Sequence, residues 1–171
     1  MAVIIVNSVL GNIFHDEHLL KKYRKMIAAR KCEMLPLSRV DMEHLRLKRK
    51  TDRGTDVGVI LEPGAKLGDG DVLLDTRDKF IVVKQLPEKV ISVSIQEKDA
   101  HRIAEVSAIV GHIIGNRHRP IAVSDNTITF PISADSELDV FSKLLPWDNV
   151  ELKLEEKVFQ PSGAIISDHA H

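Results

Sequence analysis

The stretch Gly111–Pro120, which reads GHIIGNRHRP, decides how the second half of this chain folds. It begins in an apolar periodic segment and finishes with residues that stop a helix. Gly115 and Asn116 tolerate the left-handed backbone conformation that closes a helix, and Pro120 cannot continue one. The stretch therefore predicts the end of an amphipathic helix and an exposed corner after it.

His118 is the residue of this corner that helix-ending chemistry does not explain. Its neighbours Arg117 and Arg119 place positive charge at the negative end of the helix dipole, which is a structural role. A neutral imidazole is the commonest transition-metal ligand, and it suits nickel, zinc and copper. His118 is therefore the primary candidate for a metal ligand.

The residues around the corner predict one domain over 87–160, after a joint at Leu86-Pro87-Glu88. Apolar runs predict strands and apolar residues at helical spacing predict helices, in the order β-α-β-β-α-β. That order is the split βαβ, or ferredoxin-like, arrangement. The predicted elements are a strand at Val90–Ile95, a helix at Lys98–Ile114, a hairpin at Ile121–Val123 and Thr127–Ile132, a helix at Ser136–Leu145 and a strand at Val150–Val158.

Residues 1–86 predict a small β-rich domain. Residues 3–6 are a strand candidate, and two-residue periodicity runs from Glu33 to Gln85, with a hairpin turn at Thr51–Gly54. A helix is predicted at Asp16–Arg30, with its first residue as cap or first-turn acid. The expected fold class is α+β: a small N-terminal β domain with one helix ahead of it, then a ferredoxin-like C-terminal domain.

The composition is that of an ordinary globular protein, with 29% charged and 43% hydrophobic residues. Cys32 is the single cysteine, which excludes an internal disulfide framework and a multi-cysteine zinc site. The amino end is apolar, but it is too short for a signal peptide and has no basic region. No stretch approaches the ~18 apolar residues of a membrane span. These features predict a cytoplasmic protein.

The charge is unevenly distributed, although its net value is −1. Residues 21–53 hold 12 of the 24 Lys and Arg residues against 4 acids. Such a segment can face nucleic acid or an acidic protein surface. We favour a solvated helix and hairpin, because no aromatic interleaving supports base stacking. Nucleic-acid binding through residues 21–53 is the alternative function.

The tail, residues 161–171, adds two further metal-ligand candidates and is expected to be flexible. His169 and His171 are two positions apart, so extended backbone turns both imidazoles to the same side. Ordering the tail costs conformational entropy, so these two histidines alone would bind a metal weakly. The other explanation of the tail is an expression-tag remnant.

Two-fold symmetry would turn the single exposed histidine of the corner into a metal site. One histidine per chain holds a divalent ion poorly. If the corner lies on a dimer axis, each subunit contributes His118 and the pair bridges one ion. Such a site is open and incompletely coordinated, which suits transfer of the metal.

Sequence motifs give little support to an enzyme. The chain contains no glycine-rich phosphate loop, no Gly-x-Ser-x-Gly and no His-Glu-x-x-His. The predicted class is a binding protein and not an enzyme. A metal-dependent hydrolase is a weaker third interpretation.

The signature Gly115-Asn116-Arg117-His118, followed by Pro120 after a helix of this length, resembles that of the UreE family of urease accessory proteins, which are nickel chaperones. The resemblance implies an N-terminal domain that docks partners and a ferredoxin-like domain that dimerises and binds nickel through His118 at the dimer interface. It implies nickel delivery to urease apoprotein in company with the maturation GTPase UreG. Zinc or copper are expected to bind in vitro.

The same resemblance assigns further ligands to the tail and has three departures. Carboxy-terminal histidines often add ligands in the family, and His169 and His171 occupy that place here. This tail ends in only His-Ala-His, and Ile121–Ser133 contains no histidine, unlike some relatives. The helix predicted at Asp16–Arg30 is an apparent addition to the family's N-terminal domain.

Overall fold

The structure, a computed structural model, describes residues 2–145 and 147–163. The chain divides between Leu86 and Pro87 into two compact units, called unit 1 and unit 2 below. Both contain helices and sheets, so the predicted α+β class is confirmed. Within the described ranges, no helix is long and apolar enough to cross a bilayer.

Unit 1 is built on two sheets. The first contains β1 (Ile4–Val6), β4 (Arg46–Lys50) and β5 (Asp56–Ile60) in the order β1-β5-β4. The second contains β2 (Gly11–Asn12), β3 (Cys32–Leu37), β6 (Asp71–Asp75) and β7 (Phe80–Gln85) in the order β2-β6-β7-β3. The helices are α1 (Glu17–Ala28) and α2 (Arg39–Met42). Strands β4 and β5 form the predicted antiparallel hairpin.

Helix α1 belongs to the core of unit 1. Asp16 caps it as predicted, because its carboxylate accepts hydrogen bonds from the N–H groups of His18 and Leu19 at 2.8 and 3.2 Å. The apolar side of the helix packs on the four-stranded sheet, where Leu19, Leu20, Tyr23 and Met26 join a cluster with Cys32, Val72, Phe80 and Val82. The strand predicted at residues 3–6 is present as β1, which pairs with the distant β5. The description of an all-β unit with one helix ahead of it is wrong, because β2 also precedes α1, α1 packs in the core, and a second helix, α2, follows.

Unit 2 follows the predicted order β-α-β-β-α-β. Its elements are β8 (Glu88–Ile95), α3 (Ala100–Gly115), β9 (Ala122–Ser124), β10 (Thr127–Pro131), α4 (Glu137–Leu144) and β11 (Val150–Lys157). The strands form an antiparallel sheet of order β11-β8-β10-β9. Apolar side chains of both helices and of the sheet form one core, which includes Ile91, Val93, Val110, Ile114, Phe130 and Phe141.

A polar network links three strands of the unit 2 sheet. The buried hydroxyl groups of Ser92 and Thr129 lie 3.1 Å apart, and Ser92 also donates to Glu155 at 2.6 Å. The ammonium groups of Lys157 and Lys153 lie 3.2 and 3.4 Å from the Glu155 carboxylate. The Ser92 hydrogen bond, followed by the one from Lys157, lowers the pKa of Glu155 to about 2. The ionised carboxylate therefore stabilises unit 2.

We predict that Glu155→Gln destabilises unit 2 by about 1 kcal/mol at neutral pH, because charged hydrogen bonds are lost. The pKa of Glu155 in the fold is below its ordinary value of 4.5, so its stabilisation is present above pH 4.5 and disappears as the pH falls toward 2. Urea unfolding at stepped pH, followed by fluorescence of the single tryptophan, Trp147, measures the difference. Glu156→Gln, at the exposed neighbouring position, is the control. A difference that does not change with pH would contradict the prediction.

Candidate metal centre

Helix α3 leads into the corner and is held at both ends, by a cap at its first turn and by core packing up to its last turn. Its first turn is capped by Asp99, whose carboxylate accepts a hydrogen bond from the Arg102 N–H at 3.0 Å. Val106, Val110 and Ile114 recur at four-residue spacing and are buried in the unit 2 core. Because the last of them lies one residue before the end of the helix, the core determines where the corner begins.

His118 itself adopts the left-handed backbone conformation at this corner, with φ of 55°. Its N–H donates to the Gly115 carbonyl at 2.9 Å, which closes the turn after the helix. The prediction that Gly115 or Asn116 takes this conformation is wrong. Asn116 is helical, with φ of −62°, because its N–H still bonds to the His112 carbonyl at 2.9 Å. The reversal is therefore delayed until His118.

A non-glycine residue in the left-handed region is strained, and such strain concentrates at functional sites. Arg30 and Asp125 share the conformation in other turns, so it also occurs away from this corner. At His118 it coincides with an exposed imidazole beside the end of a helix. The fold thus holds a metal-binding type of side chain at a position where glycine would be less strained.

Both arginines that flank His118 contact α4. The Arg117 guanidinium lies over the Phe141 ring, 5.8 Å from its centroid. Arg119 pairs with Glu137 at 2.6 Å, and the second carboxylate oxygen of Glu137 accepts from the Ser133 N–H at 2.6 Å. The sequence pattern predicted only that both arginines interact with the helix dipole, and it did not predict these contacts with α4. They fix the residues on both sides of His118.

The imidazole of His112 already has a partner on its own helix. Its Nε2 lies 3.1 Å from the side-chain amide nitrogen of Asn116, one helical turn further on. His112 is exposed and lies six residues before His118. This contact supports its predicted place on the helix surface and not in the metal's ligand set.

The start of the tail is bound to the segment that follows the corner. The Ser162 N–H donates to the Ile121 carbonyl at 2.9 Å, and the Ser162 hydroxyl accepts from the Val123 N–H at 2.7 Å. Ile121 follows His118 by only three residues. The tail candidates His169 and His171 lie outside the described residues.

A single subunit offers no complete metal site in its described part. Across residues 2–145 and 147–163, no three side chains of His, Cys, Asp or Glu come together in a way that could hold an ion. Cys32 is buried, and burial raises the pKa of its thiol to about 11, which disfavours the thiolate that binds metals. His118 is exposed, and contacts of both neighbouring residues with α4 fix its place in the turn.

Known proteins resemble this chain over most of its length. Residues 6–85, which include α1, match the family model described as UreE urease accessory protein, N-terminal domain. The resemblance to the UreE family is confirmed. The matched range contains α1, which also packs in the core of this domain. The family description names an accessory protein and no catalytic activity, in agreement with the prediction that the chain is not an enzyme.

Relatives named urease accessory protein UreE extend the match into unit 2. The relative from Natronomonas pharaonis is 27% identical, over 97% of this chain and 79% of its own length. One from Edwardsiella ictaluri is 28% identical, over 80% of this chain and 61% of its own length. UreE 1 of Pseudomonas syringae pv. syringae is 28% identical, over 84% of this chain and 93% of its own length.

The left-handed backbone makes a prediction about stability. We expect His118→Gly to be more stable than His118→Ala by about 1 kcal/mol in the free energy of unfolding, because glycine adopts a positive φ without strain. At Asn116, which is helical, the order should reverse, with Asn116→Ala more stable than Asn116→Gly by ~0.5–1 kcal/mol. Urea unfolding followed by Trp147 fluorescence measures all four variants. Equal stability of the two His118 variants would contradict the left-handed assignment.

Proposed function

We propose that this chain is a nickel-binding metallochaperone that delivers nickel to urease apoprotein, with the ion bridged by His118 across a homodimer. The observation that carries the proposal is the exposed His118, held in a left-handed turn whose flanks are fixed to α4. The UreE domain and the names of the relatives support a role in urease maturation.

The surroundings of His118 suit a cation shared between two subunits. The C-terminal end of α3 carries the negative end of a helix dipole, which favours a cation by a few tenths to ~1 kcal/mol when exposed. The charge of Arg119 is neutralised by Glu137, which reduces repulsion of the ion. Ile109 on α3 and Val140 on α4 are exposed apolar side chains that a dimer contact could bury. An isologous dimer supplies the second imidazole.

The anchored start of the tail supports a ligand role for His169 and His171. Ser162 is fixed beside Ile121, and His169 lies seven positions further along the chain. A chain of seven residues reaches at most ~25 Å, and the three residues from Ile121 to His118 span at most ~11 Å. The tail is therefore long enough to bring both histidines to the corner of its own chain, at a high effective concentration.

We assign the parts of the chain to separate roles. Residues 1–86 form the domain that docks partners, residues 87–160 form the ferredoxin-like domain that dimerises and binds the metal, and residues 161–171 supply extra ligands. The partners are the urease apoprotein complex and the maturation GTPase UreG, in the cytoplasm. Zinc or copper can occupy the same imidazoles in vitro, and copper should bind more tightly than nickel by the Irving–Williams order.

Ion pairs count against the alternative of nucleic-acid binding by residues 21–53. At least six of the twelve cations in this segment have a carboxylate partner within 4.0 Å: Lys22, Lys31, Arg39, Lys48, Arg49 and Lys50. Paired cations have less charge available to neutralise phosphates. The segment also spans the second half of α1, then β3, α2 and β4, so it does not form one continuous basic helix.

Nickel titration of metal-free protein tests the ligand assignment. We expect about one ion per dimer for the wild type, at least about tenfold weaker binding for His118→Ala, and unchanged binding for the control His112→Ala. A chain that ends at Ser167 should bind more weakly than the wild type but more tightly than His118→Ala. Full nickel binding by His118→Ala, or by a strictly monomeric wild type, would contradict the proposal.

The dependence of nickel binding on pH tests the chemistry of the ligands. Histidine ligands must be neutral, and imidazoles ordinarily protonate near pH ~6.5, so affinity should fall as the pH drops through that range. A bridging pair should take up about two protons for each nickel ion released at low pH. Calorimetric titration at stepped pH and constant ionic strength measures both quantities. Affinity that stays constant well below this range would exclude histidine ligation.

A further inference from the structure

A groove in unit 1 lies between α1 and the turn that joins β6 to β7. Its volume is about 710 Å³. Met26 on α1 and Ala29, the residue that caps the C-terminal end of this helix, supply apolar lining, and cationic side chains surround them. This surface, called the α1 groove below, is distant in sequence from the corner at His118 and has no role in the proposed metal site.

The α1 groove is strongly cationic. Its charged lining comprises one acid, Asp75, and five cations: Lys21, Lys22, Lys25, Lys31 and Arg77. Lys22 forms a close ion pair with Asp75, and Lys31 lies 3.2 Å from the carboxylate of Asp78.

Three of these cations have no ion-pair partner among the described residues: Lys21, Lys25 and Arg77. All three side chains belong to exposed residues. Lys21 and Lys25 are four positions apart, so they lie on one face of α1. Arg77 faces them from the β6–β7 turn. The groove thus has unpaired positive charge on both of its sides.

The turn that carries Arg77 is held by hydrogen bonds within the chain. The Thr76 N–H donates to the Lys79 carbonyl at 2.9 Å, and the Lys79 N–H donates to the Thr76 hydroxyl at 3.0 Å. The Lys31 ammonium also donates to the Arg77 carbonyl at 3.3 Å. Opposite this turn, the packing of α1 against the sheet fixes the helix backbone that carries Lys21 and Lys25. A ligand would therefore meet a groove whose backbone is already in place.

We propose that the α1 groove binds an acidic segment of a partner protein, with carboxylates on Lys21, Lys25 and Arg77 and an apolar side chain against Met26 and Ala29. The unpaired cations supply charge complementarity. The apolar lining favours a peptide over nucleic acid, because a phosphate backbone has no apolar side chain to bury and none of the described residues that line the groove is an aromatic platform for a base. This proposal rests on the partner-docking role proposed for residues 1–86 and not on the metal site, so the two can fail separately.

Fluorescence anisotropy with a labelled peptide that alternates Glu with Leu tests the proposal on the full chain. Chelator is present throughout, so that carboxylates cannot bind through a metal. The matched peptide carries Gln in place of Glu, and a single-stranded oligonucleotide of similar length is the third probe. We expect the Glu peptide to bind at least about tenfold more tightly than the Gln peptide and to weaken as salt rises.

The decisive variants reverse charge inside or outside the groove. The groove variant, Lys21→Glu/Lys25→Glu/Arg77→Glu, should have an affinity for the Glu peptide at least about tenfold lower than that of the wild type. The control reverses three exposed cations elsewhere in unit 1, as Arg46→Glu/Lys66→Glu/Lys84→Glu, and should change affinity less than about twofold. If the first triple variant does not fold, the corresponding glutamine substitutions replace it.

Three results would overturn the proposal. One is the absence of binding by the Glu peptide to the wild type. Another is equal loss of affinity in the groove variant and in the control, which would mean attraction by net charge alone. The third is an oligonucleotide that binds more tightly than the Glu peptide and depends on the same three groove cations, which would assign the groove to nucleic acid.

Discussion

The proposed activity depends on the way helix α3 ends. Burial of Val110 and Ile114 fixes the last turns of the helix, and the backbone reverses at His118, in a left-handed conformation that most residues avoid. Contacts of Arg117 and Arg119 with α4 hold the reversal in place. A floppy imidazole would lose conformational entropy on binding an ion, whereas one on a fixed turn loses less.

A site with one fixed ligand per subunit has consequences for exchange of the metal. A structural site encloses its ion with four protein ligands, and release is then slow. Two imidazoles across a symmetry axis leave coordination positions open, where tail histidines, water or groups of a receiving protein can bind. Such an arrangement can hold an ion and still transfer it. It also makes metal binding depend on dimerisation, so the two should vary together with protein concentration.

The sequence predicted the elements of unit 2 well because they have strong local signals. The four-residue spacing of Val106, Val110 and Ile114 and the alternation of β11 are visible in any window of the chain. Unit 1 was harder. Strand β2 has two residues, too few for a period, and the parallel pairing of β3 with β7 joins distant segments. The four-residue helix α2 did have a local signal, a capping box between Ser38 and Asp41, although no helix was predicted there.

The candidate site shows the same division between local and distant information. The stop signals correctly placed the end of α3, but they assigned the left-handed residue to glycine or asparagine by general preference. The actual position depends on tertiary contacts of Arg117 and Arg119 with α4, which no local pattern reveals. The arrangement of the charges around the α1 groove was equally hidden, because Arg77 lies 52 residues beyond Lys25 in the chain.

The central claim is that a symmetry axis brings two copies of His118 together, and cross-linking tests it most directly. His118→Cys should be joined efficiently between subunits by a short bismaleimide, whereas His101→Cys, at the exposed opposite end of α3, should not. The native Cys32 gives little background, because it is buried and burial raises the pKa of its thiol to about 11. Intersubunit cross-linking of His118→Cys that is no greater than that of His101→Cys would contradict the account.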